Sequence, residues 1–284
     1  GIYDVNGNRE VTEDWEHTPW TEVLSTPGTR DGNDLITFIT MERGITPVNF
    51  EYWFADYANL GDFDGRKDGD SLGVIVSNTD SLKGLFKNDA KLQIVHNISH
   101  WDVDQVTNFD AMFEGCSALY VLDIHDWVMG GNDTTSHVNM LLGCNSLKTL
   151  ILNGTVSLKD SGLDSVIDTA QRGPSKGSWL RITNGTENTP FVADPWFGST
   201  ANLVLRYTEA TNTHGDGAGE GAIYVWTNIL RGRFEDNDNA WWKYDTSKKI
   251  LTMGVDQPEE NETYTDADRE VTVDVLNGDT LPWE

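Results

Sequence analysis

Met112-Phe113-Glu114-Gly115-Cys116-Ser117-Ala118-Leu119 returns, altered but legible, as Met140-Leu141-Leu142-Gly143-Cys144-Asn145-Ser146-Leu147. Phe113 and Leu141 lie 28 residues apart, and so do Cys116 and Cys144. The same frame fits GLFKNDAKL, with Phe86 and Leu92 as anchors, and YWFADYANL, with Phe54 and Leu60. The steps are 32, 27 and 28 residues. Self-similarity at a period of roughly 20 to 50 residues is the signature of stacked repeats. Each unit buries its apolar face against its neighbours. The frame therefore predicts an α/β repeat solenoid, a form that usually presents a surface and seldom assembles a catalytic centre.

Each unit divides into a strand, a turn and a helical phrase. The predicted strands are KLQIVHNI (91–98), ALYVLDI (118–124) and SLKTLIL (146–152), which would lie side by side in one parallel sheet. Leu119, Leu122 and Ile124 are not all two apart, so a bend must separate them if all three face inward. The predicted helical phrases are VTNFDAMFEGC (106–116) and SHVNMLLGC (136–144). Thr107 or Asn108 would cap the first of these and Gly115 would end it.

The run Trp101-Asp102-Val103-Asp104-Gln105-Val106-Thr107-Asn108-Phe109-Asp110-Ala111-Met112-Phe113-Glu114-Gly115-Cys116-Ser117-Ala118-Leu119, completed by Leu122-Asp123-Ile124-His125-Asp126-Trp127, resembles one particular family. This is the BspA-like leucine-rich repeat of bacterial surface proteins, also called the DUF285 or Mycoplasma-lipoprotein-type repeat. The next unit departs from the family phrase, with Met140-Leu141 in place of Met-Phe and an insertion around 130–135. The two upstream units keep only their Phe and Leu anchors. The resemblance implies irregular right-handed leucine-rich-repeat coils with flanking β-rich cap regions. It also implies core roles for Trp101 and Trp127, and an adhesive role at a bacterial cell surface.

The repeats divide the chain. Residues 1–40 form an N-terminal lead or cap, with LITFITM (35–41) as a strand. Residues 41–155 hold the repeats. Residues 156–234 read as a β-rich C-terminal cap or accessory module, with strands at WLRI (179–182), NLVLRY (202–207) and AIYVW (222–226). Residues 235–284 are a β-rich tail, in which 241–253 should form strands that complete a β element begun by 35–41. That tail either opens a next unit or returns beside the head.

The chain has 20 basic and 46 acidic residues, a formal net charge of -26. Such a surface repels phosphates, which excludes a nucleic-acid partner and disfavours an anionic membrane. With 11 Trp, 8 Tyr and 10 Phe it has ample material for a core. No apolar run reaches the roughly 18 residues of a spanning helix. Acidity and the lack of a catalytic motif fit a secreted, extracellular protein. The sequence reads as an excised piece whose anchor lies outside it.

Chemistry-bearing candidates are few. Cys116 and Cys144 occupy equivalent places, which suits two buried thiols or a disulfide between neighbouring coils. His96, His100, His125 and His137 could be gathered by stacking on one edge, but tetrahedral zinc needs three or four ligands. For calcium, Asp4, Asn6 and Asn8 imitate the start of a calcium loop, yet Arg9 and Trp15 stand where Gly and Glu belong. Asp62, Asp64, Asp68 and Asp70, and the segment 235–239, are further acidic turns. No cofactor is therefore assigned, calcium is kept as a candidate, and the metal site stays undefined. Trp196, Trp241 and Trp242 offer faces for a sugar ring, with one of the last two inward and one outward. Sequons stand at Asn97, Asn132, Asn153, Asn184 and Asn261.

No P-loop, dinucleotide fingerprint, zinc-protease or nucleophile-elbow motif is present, so no catalytic residue is assigned and the chain does not read as an enzyme. The expected function is an adhesin-like, protein-binding module that recognises a host protein, matrix component or glycan. It would use the strand face or the loops at 128–137 and 208–221, with neighbouring copies of itself as a further partner. The alternative is a structural spacer with no ligand of its own.

Overall fold

The computed structural model describes residues 31–41, 47, 49–65, 76–129, 135–163, 177–182, 196–208, 222–234, 237–245 and 247–255. The repeated phrase is best understood from its hydrogen bonds. In the third unit, the N–H groups of Met112, Glu114 and Cys116 donate three residues back, to Phe109, Ala111 and Phe113, at 3.2, 3.1 and 3.1 Å. The alternate N–H groups of Phe109, Ala111, Phe113 and Gly115 donate outward, to Ser136, Val138, Met140 and Leu142 of the next unit, at 2.8, 2.9, 2.9 and 2.8 Å. Half of the donors close tight turns and half bind the neighbouring unit, so the buried backbone is satisfied without a helix.

The φ angles explain why. Tyr52, Gly84, Ala111 and Asn139 occupy one equivalent position and have φ of 55°, 61°, 56° and 60°. Asp56, Asn88, Gly115 and Gly143 occupy the position four residues later, with φ of 64°, 67°, 81° and 83°. A left-handed residue every fourth place cannot belong to a right-handed helix, and each non-glycine there costs roughly 1–2 kcal/mol. Asn108 does cap locally, but its Oδ1 accepts from the Asp110 N–H, two residues on, at 2.9 Å. That is an Asx turn and not a helix start.

The strands are short and sort into three sheets. β1 (Phe38–Thr40), β2 (Asp62–Asp64) and β3 (Ile94–His96) pair in parallel, with Ile39, Phe63 and Val95 in register. β4 (Val121–Asp123) and β5 (Thr149–Leu152) also pair in parallel. They belong to a second sheet, completed by β6 (Ser178–Ile182), β7 (Phe197–Gly198) and β8 (Ala222–Thr227) in the order β4-β5-β8-β6-β7. There β8 runs antiparallel to both β5 and β6. β9 (Ile229–Phe234), β10 (Asn237–Asp245) and β11 (Ile250–Val255) form a separate antiparallel sheet.

Five expectations are corrected by this architecture. The fold is β-rich and is not an α/β repeat solenoid of irregular leucine-rich-repeat coils. The phrases 106–116 and 136–144 are successive turns, and among the described residues the single α-helix, α1 (Thr200–Arg206), lies outside the repeats. Residues 118–124 and 146–152 contribute to one sheet but 91–98 to another, so the proposed common parallel sheet is absent. The run NLVLRY (202–207) is helical and not a strand. Ser199 caps it by accepting the Asn202 N–H at 3.2 Å, and Leu203 and Tyr207, four apart, are both fully buried. Residues 241–253 do form strands, but they pair with β9 and each other, while β1 pairs with β2.

The core runs through the repeated phrases. Phe54, Phe86 and Phe113 stack in sequence, with ring centroids 5.7 and 5.5 Å apart. Trp127 is fully buried, tilts on Phe109 at 5.5 Å and donates its indole N–H to the Ile98 carbonyl at 2.8 Å. Leu119, Leu122 and Ile124 are all buried, with exposed Tyr120 and half-buried Val121 between the first two. The stack also fixes which side chains must remain outside, and these make the candidate surface.

Candidate binding surface

The outward face of β2, β3, β4 and β5 is built by strand alternation. Phe63, Val95, Leu122 and Leu150 point inward and are buried. Their flanking neighbours stand on the other face in two columns, Asp62-Ile94-Val121-Thr149 and Asp64-His96-Asp123-Ile151, each partly or well exposed. A third column, Gln93-Tyr120-Lys148, flanks them and is exposed. It is tied by backbone bonds from Gln93 to Gly61, Tyr120 to Gln93 and Lys148 to Tyr120, at 3.0, 3.1 and 2.9 Å. The result is a surface of apolar and β-branched side chains crossed by carboxylates and imidazoles.

Histidine and aspartate organise its margin. His96 Nε2 lies 3.2 Å from Asp62 Oδ1, and Asn97 Nδ2 donates to Asp64 Oδ1 at 3.0 Å. Asp126 bridges two imidazoles, 3.1 Å from His100 Nδ1 and 3.3 Å from His125 Nε2. The other nitrogen of His125, Nδ1, meets Asp123 Oδ1 at 2.6 Å. Stacking thus gathers His100 and His125 around one carboxylate, pairs His96 separately, and places His137 elsewhere. His137 is buried against Phe109, with ring centroids 5.8 Å apart. Burial lowers its pKa, with Asp110 and Asp160 acting in the opposite sense.

The remaining candidates fall as follows. Cys116 and Cys144 stay as buried thiols, donating to the Phe86 and Phe113 carbonyls at 3.0 and 3.2 Å. Burial pushes the Cys116 thiol well up, the opposite of what a nucleophile needs. Among the described residues, no group of three or more His, Cys, Asp or Glu is arranged to hold a metal ion. Asp62 and Asp64 are engaged by His96 and Asn97. Asp4, Asn6, Asn8, Arg9, Trp15, Asp68 and Asp70 lie outside the described residues, as do 235 and 236 of the segment 235–239, 130–134 of the loop 128–137 and 209–221 of the loop 208–221.

Trp101 is buried beside Phe50 and Phe63, at 5.8 and 6.2 Å. Trp242 is buried and Trp241 is half-buried, as neighbours on a strand should be. Trp196 is half-buried, and the guanidinium of Arg206 covers its ring at 5.3 Å, occupying one face a sugar would need. Of the sequons, Asn97 is exposed, while Asn153 is buried and donates to the carbonyls of His125 and Trp127. Asn132, Asn184 and Asn261 are outside the described residues.

Two residues of consequence escaped the sequence reading. Tyr120 gave no signal beyond its place in the predicted strand 118–124. Asp89 carried one, since it stands in the cysteine frame, in the column Tyr57-Asp89-Cys116-Cys144. Its side chain is fully buried. Oδ1 accepts the Tyr57 N–H at 2.8 Å, and Oδ2 has no hydrogen-bond partner among the described residues. Burial raises its pKa well above the usual carboxylate range, with Asp56 adding to the effect and the Tyr57 bond opposing it.

Residues 73–155 match the family described as Mycoplasma protein of unknown function, DUF285. The match spans β3, β4 and β5 and the turn phrases between them, and so most of the surface just described. Comparison of the chain with curated proteins and with solved structures gives no match. No helix among the described residues is long and apolar enough to cross a membrane.

Proposed function

We propose that this chain is an extracellular, adhesin-like binding module of a bacterial cell surface, and that it recognises a host protein, matrix component or glycan. The observation that carries the reading is the outward strand face, where Tyr120, Ile94 and Val121 lie among Asp62, Asp64, His96 and Asp123. Apolar contact area ringed by groups that hydrogen-bond and carry charge is the chemistry of a recognition surface. Asp62 and His96 meet each other, Asp64 meets Asn97 and Asp123 meets His125, so a ligand would find these groups already oriented. The likeness of Trp101–Trp127 to the BspA-like surface proteins supports the same reading and the extracellular location. It favours a binding role over an enzymatic one only as an implication of the likeness, since fold alone does not fix function.

The experiment is saturable binding of the whole chain to immobilised matrix proteins and to a glycan array, repeated with Tyr120→Asp and with Asp123→Asn. The expected result is a saturable ligand whose affinity falls at least tenfold in Tyr120→Asp while the circular dichroism melt is unchanged. Absence of any saturable ligand, or a ligand indifferent to both changes, would sink the assignment.

A further inference from the structure

Two sheet edges carry a concentration of exposed apolar side chains. Leu35, which ends the 3-10 helix before β1, is 70% exposed, and Phe38, on β1, is 52% exposed; on β11, Ile250, Leu251 and Met253 are 53%, 44% and 57% exposed. Among the described residues β1 pairs with β2 alone, and β11 with β10 alone. An edge of this kind can add an extended strand, and natural edges are blunted by shortness, charge, proline or a bulge; β1 is short, at three residues, whereas β11 has six. Neither β1 nor β11 contains a charged residue, a proline or a register shift within its ladder to its neighbour.

The charges beside the two edges are complementary. Exposed Asp34 precedes β1, and the strand next to it, β2, carries Asp62 and Asp64. Exposed Lys248 and Lys249 lead into β11, and exposed Lys243 stands opposite Thr252 across its ladder. Lys248 lies 3.6 Å from Asp245 Oδ2 within the same hairpin, so Lys243 and Lys249 carry the excess positive charge beside this apolar strand of an acidic chain. The second copy of the chain supplies what they match, an apolar edge flanked by carboxylates.

We propose that β11 of one molecule adds to the open edge of β1 of the next, joining copies head to tail. Main-chain hydrogen bonds supply the pairing, and the side chains of Phe38 and Leu35 meet those of Leu251 and Met253. Pairing of β11 with β11 sets lysine beside lysine, and pairing of β1 with β1 sets aspartate beside aspartate. A head-to-tail contact uses two different surfaces on each copy, so it does not close after two and continues as a chain.

The test is sedimentation velocity of the full chain over a thousandfold range of concentration, at low and at high salt. The wild type should grow past the dimer as concentration rises, and salt should weaken the growth. Phe38→Lys and Met253→Lys should each be monomeric. Their equimolar mixture should form a dimer and stop there, because one intact β11 meets one intact β1. Leu205→Lys, on the exposed face of α1, should leave assembly unchanged. Leu35→Lys and Leu251→Lys repeat the test should either first variant lose its native circular dichroism. A wild type that stays monomeric throughout, a closed dimer abolished by only one of the two edge changes, or a mixture that stays monomeric would each overturn the proposal.

Discussion

Gly115 and Gly143 occupy the same place in consecutive units and have nearly the same φ, 81° and 83°, yet alanine should cost different amounts at the two. The conformational part is shared. An L-residue in the left-handed region costs roughly 1–2 kcal/mol, and the stiffer unfolded chain returns about 0.4–1 kcal/mol of that. At Gly143 the added Cβ would lie 3.4 Å from Gly115 Cα, an ordinary contact, so the net loss should be about 1 kcal/mol. At Gly115 the Cβ would stand 3.2 Å from the Asn88 Cα and 2.8 Å from its Oδ1. The Asn88 backbone is held by its N–H bond to the Glu114 carbonyl at 2.7 Å, so it cannot withdraw freely. Overpacking of this kind adds about 1–3 kcal/mol, for a total near 2–4 kcal/mol. Urea unfolding of both variants, followed by circular dichroism, measures the difference directly. A Gly143→Ala loss equal to or larger than that of Gly115→Ala would refute the argument from the Asn88 contact.

Three further outcomes follow from the core. Asp89 has a raised pKa when folded, so its contribution to stability is complete below about pH 3.9, the unfolded value, and is lost as pH rises toward the folded one. The slope is about 1.4 kcal/mol per pH unit over that window. In Asp89→Asn the fall should vanish, so the difference in melting temperature from wild type should change steadily from pH 4 upward; parallel curves would contradict it. Trp127→Phe removes the bond to Ile98 and leaves that carbonyl buried without its donor, so urea unfolding should show a loss of about 2–4 kcal/mol. Cys116 and Cys144 should react with a maleimide only at the rate of unfolding, and denaturant should release both together.

The sequence made the repeat frame, the anchors and the buried positions legible, because apolar side chains at fixed spacing must find the same environment in every unit. Phe54, Phe86, Phe113, Leu119 and Leu147 are all buried as that frame required. Secondary structure inside the frame was not legible. Met112-Phe113 followed by Gly115 reads as a helix end, and only backbone angles reveal that Ala111 is already left-handed. Ala gives no composition signal for that conformation, whereas the Asn, Asp and Gly in the same columns do. The sheet partition was hidden for another reason. Strands of three residues carry too little alternation to say which neighbour they prefer, and β8 enters from 70 residues away to pair with β5. At the surface, the gathering of imidazoles by stacking was legible, but not which ones meet: His100 and His125 share Asp126, while His96 pairs with Asp62.

The directions of the backbone bonds carry a consequence for the electric field of the molecule. In the turn phrases, the N–H groups of Phe54, Phe86 and Phe113 all point to the following unit. At the strand entries, those of Gln93, Tyr120 and Lys148 all point to the preceding one. The two rows of peptide dipoles therefore oppose each other across the stack, unlike the aligned row of a helix, whose ends behave as about half a charge. The cancellation is partial: in the third unit the N–H groups of Phe109, Ala111, Phe113 and Gly115 point forward and those of Thr107 and Tyr120 point back. Steering of a partner by the ionised side chains should fade with ionic strength over a Debye length of about 8 Å in physiological salt.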